Sequence, residues 1–73
     1  MNTPYENLAN AIVLQAVKEY RNTLRTLARF PDGREVNKEK SRILQFFRSG
    51  WYRTLTSIDP EFLIRKLDEE AAA

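Results

Sequence analysis

The feature that most constrains this sequence is an unbroken helical pattern in its first 30 residues. Apolar side chains recur there mainly at steps of three and four, and neither glycine nor proline interrupts them between Pro4 and Pro31. Such steps place residues on one face of a helix; the set is Tyr5, Ala9, Ile12, Val13, Ala16, Tyr20, Leu24 and Leu27. We predict a first helix from about Pro4 to Ala28 or Arg29, roughly 38 Å long. In a chain of 73 residues, the other helices then have to fold back along it.

Capping signals divide the rest of the chain. Thr3 can cap the first helix, with Pro4 in its first turn and Glu6 at the position of a capping-box acid. The segment Pro31-Asp32-Gly33 is typical of a turn. The second helix then begins either at Asp32, with Glu35 completing a capping box, or at Asn37. Its apolar stripe comprises Val36, Ile43, Leu44 and Phe47, with Lys40 at the edge.

Two short helices are predicted to follow. Ser49-Gly50 ends the second helix, and Ser49 can cap a third, on which Trp51, Leu55 and Ile58 share a face with Tyr52 beside them. Asp59-Pro60-Glu61 supplies the cap, first-turn proline and N-terminal acid of a fourth helix, whose apolar residues are Phe62, Leu63, Ile64 and Leu67. No stretch has the alternation of a strand.

These patterns predict an all-α fold. We expect a small bundle of one long N-terminal helix with an antiparallel helix and two short C-terminal helices packed on its inner face. Residues 1–70 form a single helical domain in this interpretation, and residues 71–73 form a frayed C-terminal tail.

The composition excludes several kinds of chemistry. The chain has no cysteine and no histidine, so disulfides, a structural zinc site and the common nucleophile–base pairs are all missing. Its carboxylates are scattered, and two glycines cannot make a glycine-rich phosphate loop. We therefore expect no catalytic residues, no metal and no cofactor, and a protein that is not an enzyme.

Membrane insertion is not expected either. The longest apolar run, Ala11-Ile12-Val13-Leu14, is far too short to cross a bilayer. The N-terminus lacks the basic start and apolar stretch of a secretory signal. A cytoplasmic location is the resulting expectation.

Charge is unevenly distributed along the chain. The formal net charge is +2, but residues 18–53 hold ten basic and four acidic residues, whereas the C-terminus carries Asp68-Glu69-Glu70. Four cations, Lys18, Arg21, Arg25 and Arg29, align along the outer face of the first helix, with Leu14 just above them. This candidate partner-binding surface suits an acidic protein with an apolar centre or a nucleic acid; the alternative is an ordinary solvated face.

A second candidate surface lies around the aromatic segment. Phe46, Arg48, Tyr52 and Arg53 interleave rings with guanidinium groups, as a stacking platform for single-stranded nucleic acid would. Core packing is the competing interpretation, because a small domain needs its large side chains inside. By spacing, Phe47 and Trp51 fit the core, and Phe46 and Tyr52 are expected nearer the surface.

Four segments of the sequence are shared with a known group of proteins: residues 11–21, the segment Phe46-Phe47-Arg48-Ser49-Gly50-Trp51-Tyr52, Leu55-Thr56 and residues 59–64. In these segments the chain resembles short uncharacterised helical proteins encoded in bacterial prophages and other mobile elements. Gly50 stands where the group has an acid, and Pro60 stands where it has glycine. The resemblance implies an accessory role in a bacterial or phage context and transfers no site residues.

Three functions remain open at this level. The first is a protein-binding accessory or modulator, the second a small DNA- or RNA-binding regulator that uses the basic face of the first helix, and the third a structural homo-oligomeric component. Steep salt dependence would separate nucleic-acid binding from a protein contact with an apolar centre.

Overall fold

Four helices make up the fold. The computed structural model describes residues 3–73 and contains α1 (Pro4–Arg29), α2 (Arg34–Phe47), α3 (Gly50–Leu55) and α4 (Pro60–Ala72). No strand occurs within residues 3–73, and the predicted all-α class is confirmed. None of these helices is long and apolar enough to span a bilayer.

Three of the predicted caps are present. The Thr3 hydroxyl accepts a hydrogen bond from the Glu6 amide at 3.1 Å, and the Ser49 hydroxyl accepts one from the Tyr52 amide at 3.2 Å. Asp59 caps α4 by accepting from the Glu61 amide at 3.0 Å. These side chains satisfy amides that have no partner within their own helix, and so fix where α1, α3 and α4 begin.

The predicted start of α2 was wrong at both alternative positions. The N-cap is Gly33, which provides no side-chain cap, and the helix begins at Arg34. The Gly33 amide instead donates to the Phe30 carbonyl at 3.0 Å. The Asn37 side chain donates to the Gly33 carbonyl at 2.8 Å, so its amide ties down the turn from within the helix rather than capping it.

The core lies where α1 meets the other three helices. Its fully buried large side chains are Tyr20, Phe47 and Tyr52, and the ring of Phe47 stands edge-on to those of Tyr20 and Tyr52 at centroid distances of 5.9 and 5.8 Å. Buried aliphatic residues complete it: Val13, Ala16, Val17, Ile43, Ile64 and Leu67. Edge-to-face aromatic pairs of this kind add to the stabilisation from burial itself.

The α1 helix extends beyond this core at its N-terminal end. Residues 3–8 are all exposed, and Ala9 is the first buried residue. Tyr5, which we assigned to the core face, is 79% exposed, because no other helix reaches this far along α1. The molecule measures 42 × 23 × 18 Å, and its long dimension is that of α1.

The predicted orientation of α3 was also wrong. Trp51 is 57% exposed and Ile58 lies on the surface, whereas Tyr52 is fully buried. The Phe46 and Phe47 rings contact Tyr52 at centroid distances of 5.9 and 5.8 Å. A helix of six residues makes less than two turns, so its apolar spacing does not determine which face turns inward.

The α4 helix connects the C-terminal segment to α1. The Tyr20 hydroxyl donates to the Asp68 carboxylate at 2.6 Å, and the Arg21 guanidinium pairs with Glu70. Helical geometry continues to Ala72, two residues beyond the domain boundary expected at residue 70. Ala71 and Ala72, which we assigned to the tail, are therefore part of α4.

Candidate functional site

The basic residues predicted on α1 do lie together on its solvent side. Lys18, Arg21, Arg25 and Arg29, which we call the basic stripe, are all exposed. Leu14 is 58% exposed on the same side. The structure thus brings the predicted surface together as one face, but its cations are not equally free.

Arg21 is held by the C-terminal end of α4. Its Nε and Nη2 atoms donate to the two carboxylate oxygens of Glu70 at 2.8 and 3.1 Å, which is a bidentate arrangement. Arg25 makes only a hydrogen bond to the Asn22 side chain, at 3.3 Å. Among residues 3–73, Lys18, Arg25 and Arg29 make no ion pair with a carboxylate, so these three carry the net positive charge of the stripe.

The second predicted surface is not assembled as expected. Tyr52 is buried and cannot stack on a base, and Phe46 is half-buried. Arg48 donates to both carboxylate oxygens of Glu61, at 2.8 and 3.1 Å, and these hydrogen bonds lower the pKa of Glu61. Only Arg53 remains exposed without such a partner in the described chain. A platform of alternating rings and free guanidinium groups is therefore absent there.

An apolar groove lies between α1 and the junction of α2 with α3. It encloses about 380 Å³ and is lined by Ala11, Ile12, Gln15, Ala16, Glu19, Phe46 and Trp51; we call it the α1–α3 groove. Trp51 stands edge-on to Phe46 at a centroid distance of 5.4 Å, so one wall of the groove is aromatic. Its single charged residue, Glu19, makes no ion pair or side-chain hydrogen bond within residues 3–73.

The groove continues into the part of α1 that extends beyond the core. Leu8 is 61% exposed and precedes Ile12 by four residues, and Tyr5 precedes Leu8 by three. Side chains at these spacings are neighbours on a helix surface. Tyr5, Leu8 and Ile12 therefore form an apolar ridge that leads into the α1–α3 groove. Contiguous exposed apolar surface of this kind is typical of binding sites.

Sequence reasoning missed this groove. The spacing of Tyr5, Leu8, Ile12 and Glu19 was visible, but Tyr5 and Ile12 were both assigned to the core face. The aromatic wall could not be found in this way, because it depends on Trp51 rather than Tyr52 turning outward. The outward position of Trp51 follows from how α3 packs on Phe46 and Phe47.

The outer face of α2 carries a second, polar depression. Its volume is about 610 Å³, and its lining is polar or charged throughout: Asp32, Arg34, Asn37, Lys38, Ser41, Arg42 and Gln45. Lys38 and Arg42 pair with acids one helical turn before them, Glu35 and Glu39. With no apolar anchor and with its charges partly compensated, this face is a weaker candidate than the groove.

The ionisable groups of residues 3–73 include one with a strongly shifted pKa. No group of three or more acidic residues that could hold a metal ion occurs within residues 3–73. The most perturbed group is the Tyr20 hydroxyl, whose pKa is raised by burial and by its hydrogen bond to Asp68. That hydrogen bond joins α1 to α4 at the edge of the core, where Asp68 is exposed, which is a structural role.

Comparisons with protein families, curated proteins and solved structures found no match to this chain.

Proposed function

We propose that this chain is a non-enzymatic helical module that binds another protein through the α1–α3 groove and the apolar ridge beside it. The observation that carries the proposal is the position of Trp51, half exposed against Phe46 at the wall of an apolar groove. Tryptophan is enriched among the residues that dominate binding energy at protein interfaces. A protein contact would bury this ring, which the fold itself leaves in water.

The composition of the groove favours a protein over a small polar ligand. Its surface is mostly apolar with one carboxylate, and apolar centres with few charges are typical of the middle of protein interfaces. We also propose an accessory or modulating role in a prophage or mobile element, which is the context that the resemblance of the sequence implies. A cytoplasmic site of action belongs to the same proposal.

A matched pair of substitutions on α1 tests the proposal. Leu8→Asp places a charge on the ridge, whereas Leu14→Asp places the same charge beside the basic stripe. The two leucines are 61% and 58% exposed, so neither change should alter the free energy of unfolding by more than about 0.5 kcal/mol. The test is a pull-down in which each tagged variant is used as bait in a lysate of the native host. We expect Leu8→Asp to lose the bound protein and Leu14→Asp to retain it.

The reverse pattern would move the binding site to the surface predicted from sequence. Loss of the partner in Leu14→Asp alone would place the contact on Leu14 and the basic stripe. Equal retention by both variants would contradict binding through either face of α1. Circular dichroism of both proteins provides the control for folding.

Nucleic-acid binding is the second candidate, and the free cations of the basic stripe favour it. Lys18, Arg25 and Arg29 share one exposed face without carboxylate partners in the described residues. Binding that depends on three phosphate contacts should weaken with salt with a logarithmic slope of about −3. A flat salt dependence, or undiminished binding by Arg25→Glu, would rule out this use of the stripe.

A further inference from the structure

We propose that the protein bound in the α1–α3 groove is a second copy of this chain. Two α1 helices would pair side by side and antiparallel, related by a two-fold axis that passes near Ile12. This inference rests on the proposed function, since it identifies the occupant of the same groove. Four properties of the described residues support it: the arrangement of ridge and groove, the partners across the axis, the distribution of charge, and the exposed area.

The first property is that ridge and groove lie on one face of one helix. Tyr5 and Leu8 project from the part of α1 that no other helix covers, and Ile12 begins the floor of the groove. Leu8 and Ala16 are separated by about 12 Å along the helix axis. A two-fold axis midway between them, at Ile12, exchanges ridge and groove. Each copy can therefore fill the groove of the other, as an interface between identical surfaces requires.

The second property is the match of individual positions. With the axis at Ile12, Leu8 of one copy faces Ala16 of the other. Ala16 is buried at the floor of the groove, and its small side chain leaves room above it for a large one. Phe46 and Trp51 flank that position in the groove. Tyr5 faces Glu19, so its phenol hydroxyl can donate to a carboxylate that has no hydrogen-bond partner within the described residues. A polar group at the end of the groove thus meets a polar group at the tip of the ridge.

The third property is the placement of charge. Glu19 of each copy would lie near the N-terminal end of the other α1, where the helix dipole favours negative charge. The basic stripe does not oppose this pairing, because Lys18 lies about 120° from Ile12 around the helix axis. Pairing through the groove therefore brings no two cationic stripes together, and it leaves both stripes exposed to solvent.

The fourth property is an excess of exposed surface. The accessible area is 5557 Å², whereas a compact monomer of this mass exposes roughly 4,700 Å². The radius of gyration is 13.1 Å, against about 11 Å expected for a compact chain of this length. The excess area is on the order of 800 Å², which is the area that each partner buries in a stable complex. Oligomerisation is also a common source of stability for domains of this size.

Sedimentation equilibrium over micromolar to millimolar concentrations tests the inference directly. We expect the wild-type mass to approach twice the 8.6 kDa of one chain as concentration rises. Leu8→Asp should dissociate at least tenfold more readily, and Leu14→Asp should associate like the wild type. The single tryptophan gives an independent measurement: fluorescence emission from Trp51 should shift to shorter wavelength with concentration in the wild type but not in Leu8→Asp.

Cysteine substitution tests the position of the axis. The chain contains no native cysteine, so any disulfide must form between introduced residues. Residues next to a two-fold axis bring their Cα atoms within the distance of about 7 Å that a disulfide needs. We expect Ile12→Cys to form a covalent dimer on mild oxidation. Leu14→Cys, on the opposite side of α1, should not form one efficiently.

The outcomes distinguish failure of this inference from failure of the proposed function. A wild-type protein that stays monomeric at millimolar concentration overturns the second copy as occupant. If Leu8→Asp nevertheless loses a partner in the pull-down, groove binding stands and the occupant is a different protein. If the wild type is monomeric and Leu8→Asp retains every partner, both proposals fall. Dimers that persist unchanged in Leu8→Asp place self-association on another face and also overturn the inference.

Discussion

Tyr20 and Tyr52 occupy the same core, and both are fully buried, but their hydroxyl groups are in different situations. The Tyr20 hydroxyl donates to Asp68 at 2.6 Å. The Tyr52 hydroxyl is buried and has no hydrogen-bond partner among the described residues. Most buried polar groups in proteins are paired, and an unpaired one costs about 1–3 kcal/mol in desolvation. The ring of Tyr52 stabilises the fold, whereas its oxygen opposes it.

Removing the Tyr52 oxygen should therefore not destabilise the protein. We expect Tyr52→Phe to melt at or above the temperature of the wild type, because the ring contacts with Phe46 and Phe47 remain. Tyr20→Phe is the matched control: it breaks a hydrogen bond and should cost about 1 kcal/mol, or roughly 4–8 °C in a domain of this size. Differential scanning calorimetry measures both. Equal destabilisation of the two variants would mean that the Tyr52 hydroxyl is hydrogen-bonded in solution.

The helices that carry their own start signals were predictable from the sequence. Thr3, Ser49 and Asp59 act as caps because each has a short side chain whose oxygen reaches an amide two or three residues later. Capping of this kind depends only on neighbouring residues in the sequence. The turn at Gly33 was less predictable, since Asp32 and Asn37 offered equally good local signals. In the structure neither residue is the N-cap of α2. That position is Gly33, whose amide donates to the Phe30 carbonyl.

The faces of the elements were predictable only for the long ones. In α1 the periodicity extends over seven turns, and the basic stripe lies on the solvent side as expected. In α3 the choice between Trp51 and Tyr52 depends on contacts with Phe46 and Phe47 from another helix. The α1–α3 groove could therefore not be predicted from the sequence, because Trp51, which forms its aromatic wall, was expected in the core.

Two arginines of the basic stripe differ in their partners, and substituting each one measures what the ion pair contributes to stability. Arg21→Glu removes the bidentate pair with Glu70 and places two carboxylates together at the α1–α4 contact, whereas Arg25→Glu disturbs only a hydrogen bond to Asn22. We expect Arg21→Glu to lower the free energy of unfolding by up to about 1 kcal/mol, as exposed pairs usually do. Arg25→Glu should remain within about 0.5 kcal/mol of the wild type. Urea denaturation followed by circular dichroism measures the difference, and equal stabilities would mean that the Arg21–Glu70 pair contributes nothing.

The buried tyrosines predict how the stability of the protein depends on pH. Burial raises the pKa of both Tyr20 and Tyr52 above the ordinary value of 10.0; the hydrogen bond to Asp68 adds to this shift for Tyr20, and the charge of Asp59 adds to it for Tyr52. The unfolded chain therefore loses these protons at lower pH than the native state does. The two tyrosines therefore leave stability independent of pH below about pH 10, and the free energy of unfolding falls as pH rises further.

Denaturation at a series of alkaline pH values tests this prediction. The urea midpoint should decrease above about pH 10, and the decrease should be shallower in the double variant Tyr20→Phe/Tyr52→Phe. A double variant with an unchanged slope would assign alkaline unfolding to other groups.

The elongated shape also governs how the molecule tumbles. The α1 helix lies along the 42 Å dimension, and amide N–H bonds in a helix are nearly parallel to its axis, so they reorient mainly through slow end-over-end rotation. The transverse relaxation rates of these amides should therefore be higher than those of amides that point across the molecule. Antiparallel pairing about Ile12 would extend the two α1 helices to about 51 Å in total and slow this rotation further. In nitrogen-15-labelled protein, relaxation of the α1 amides would then report association without any substitution.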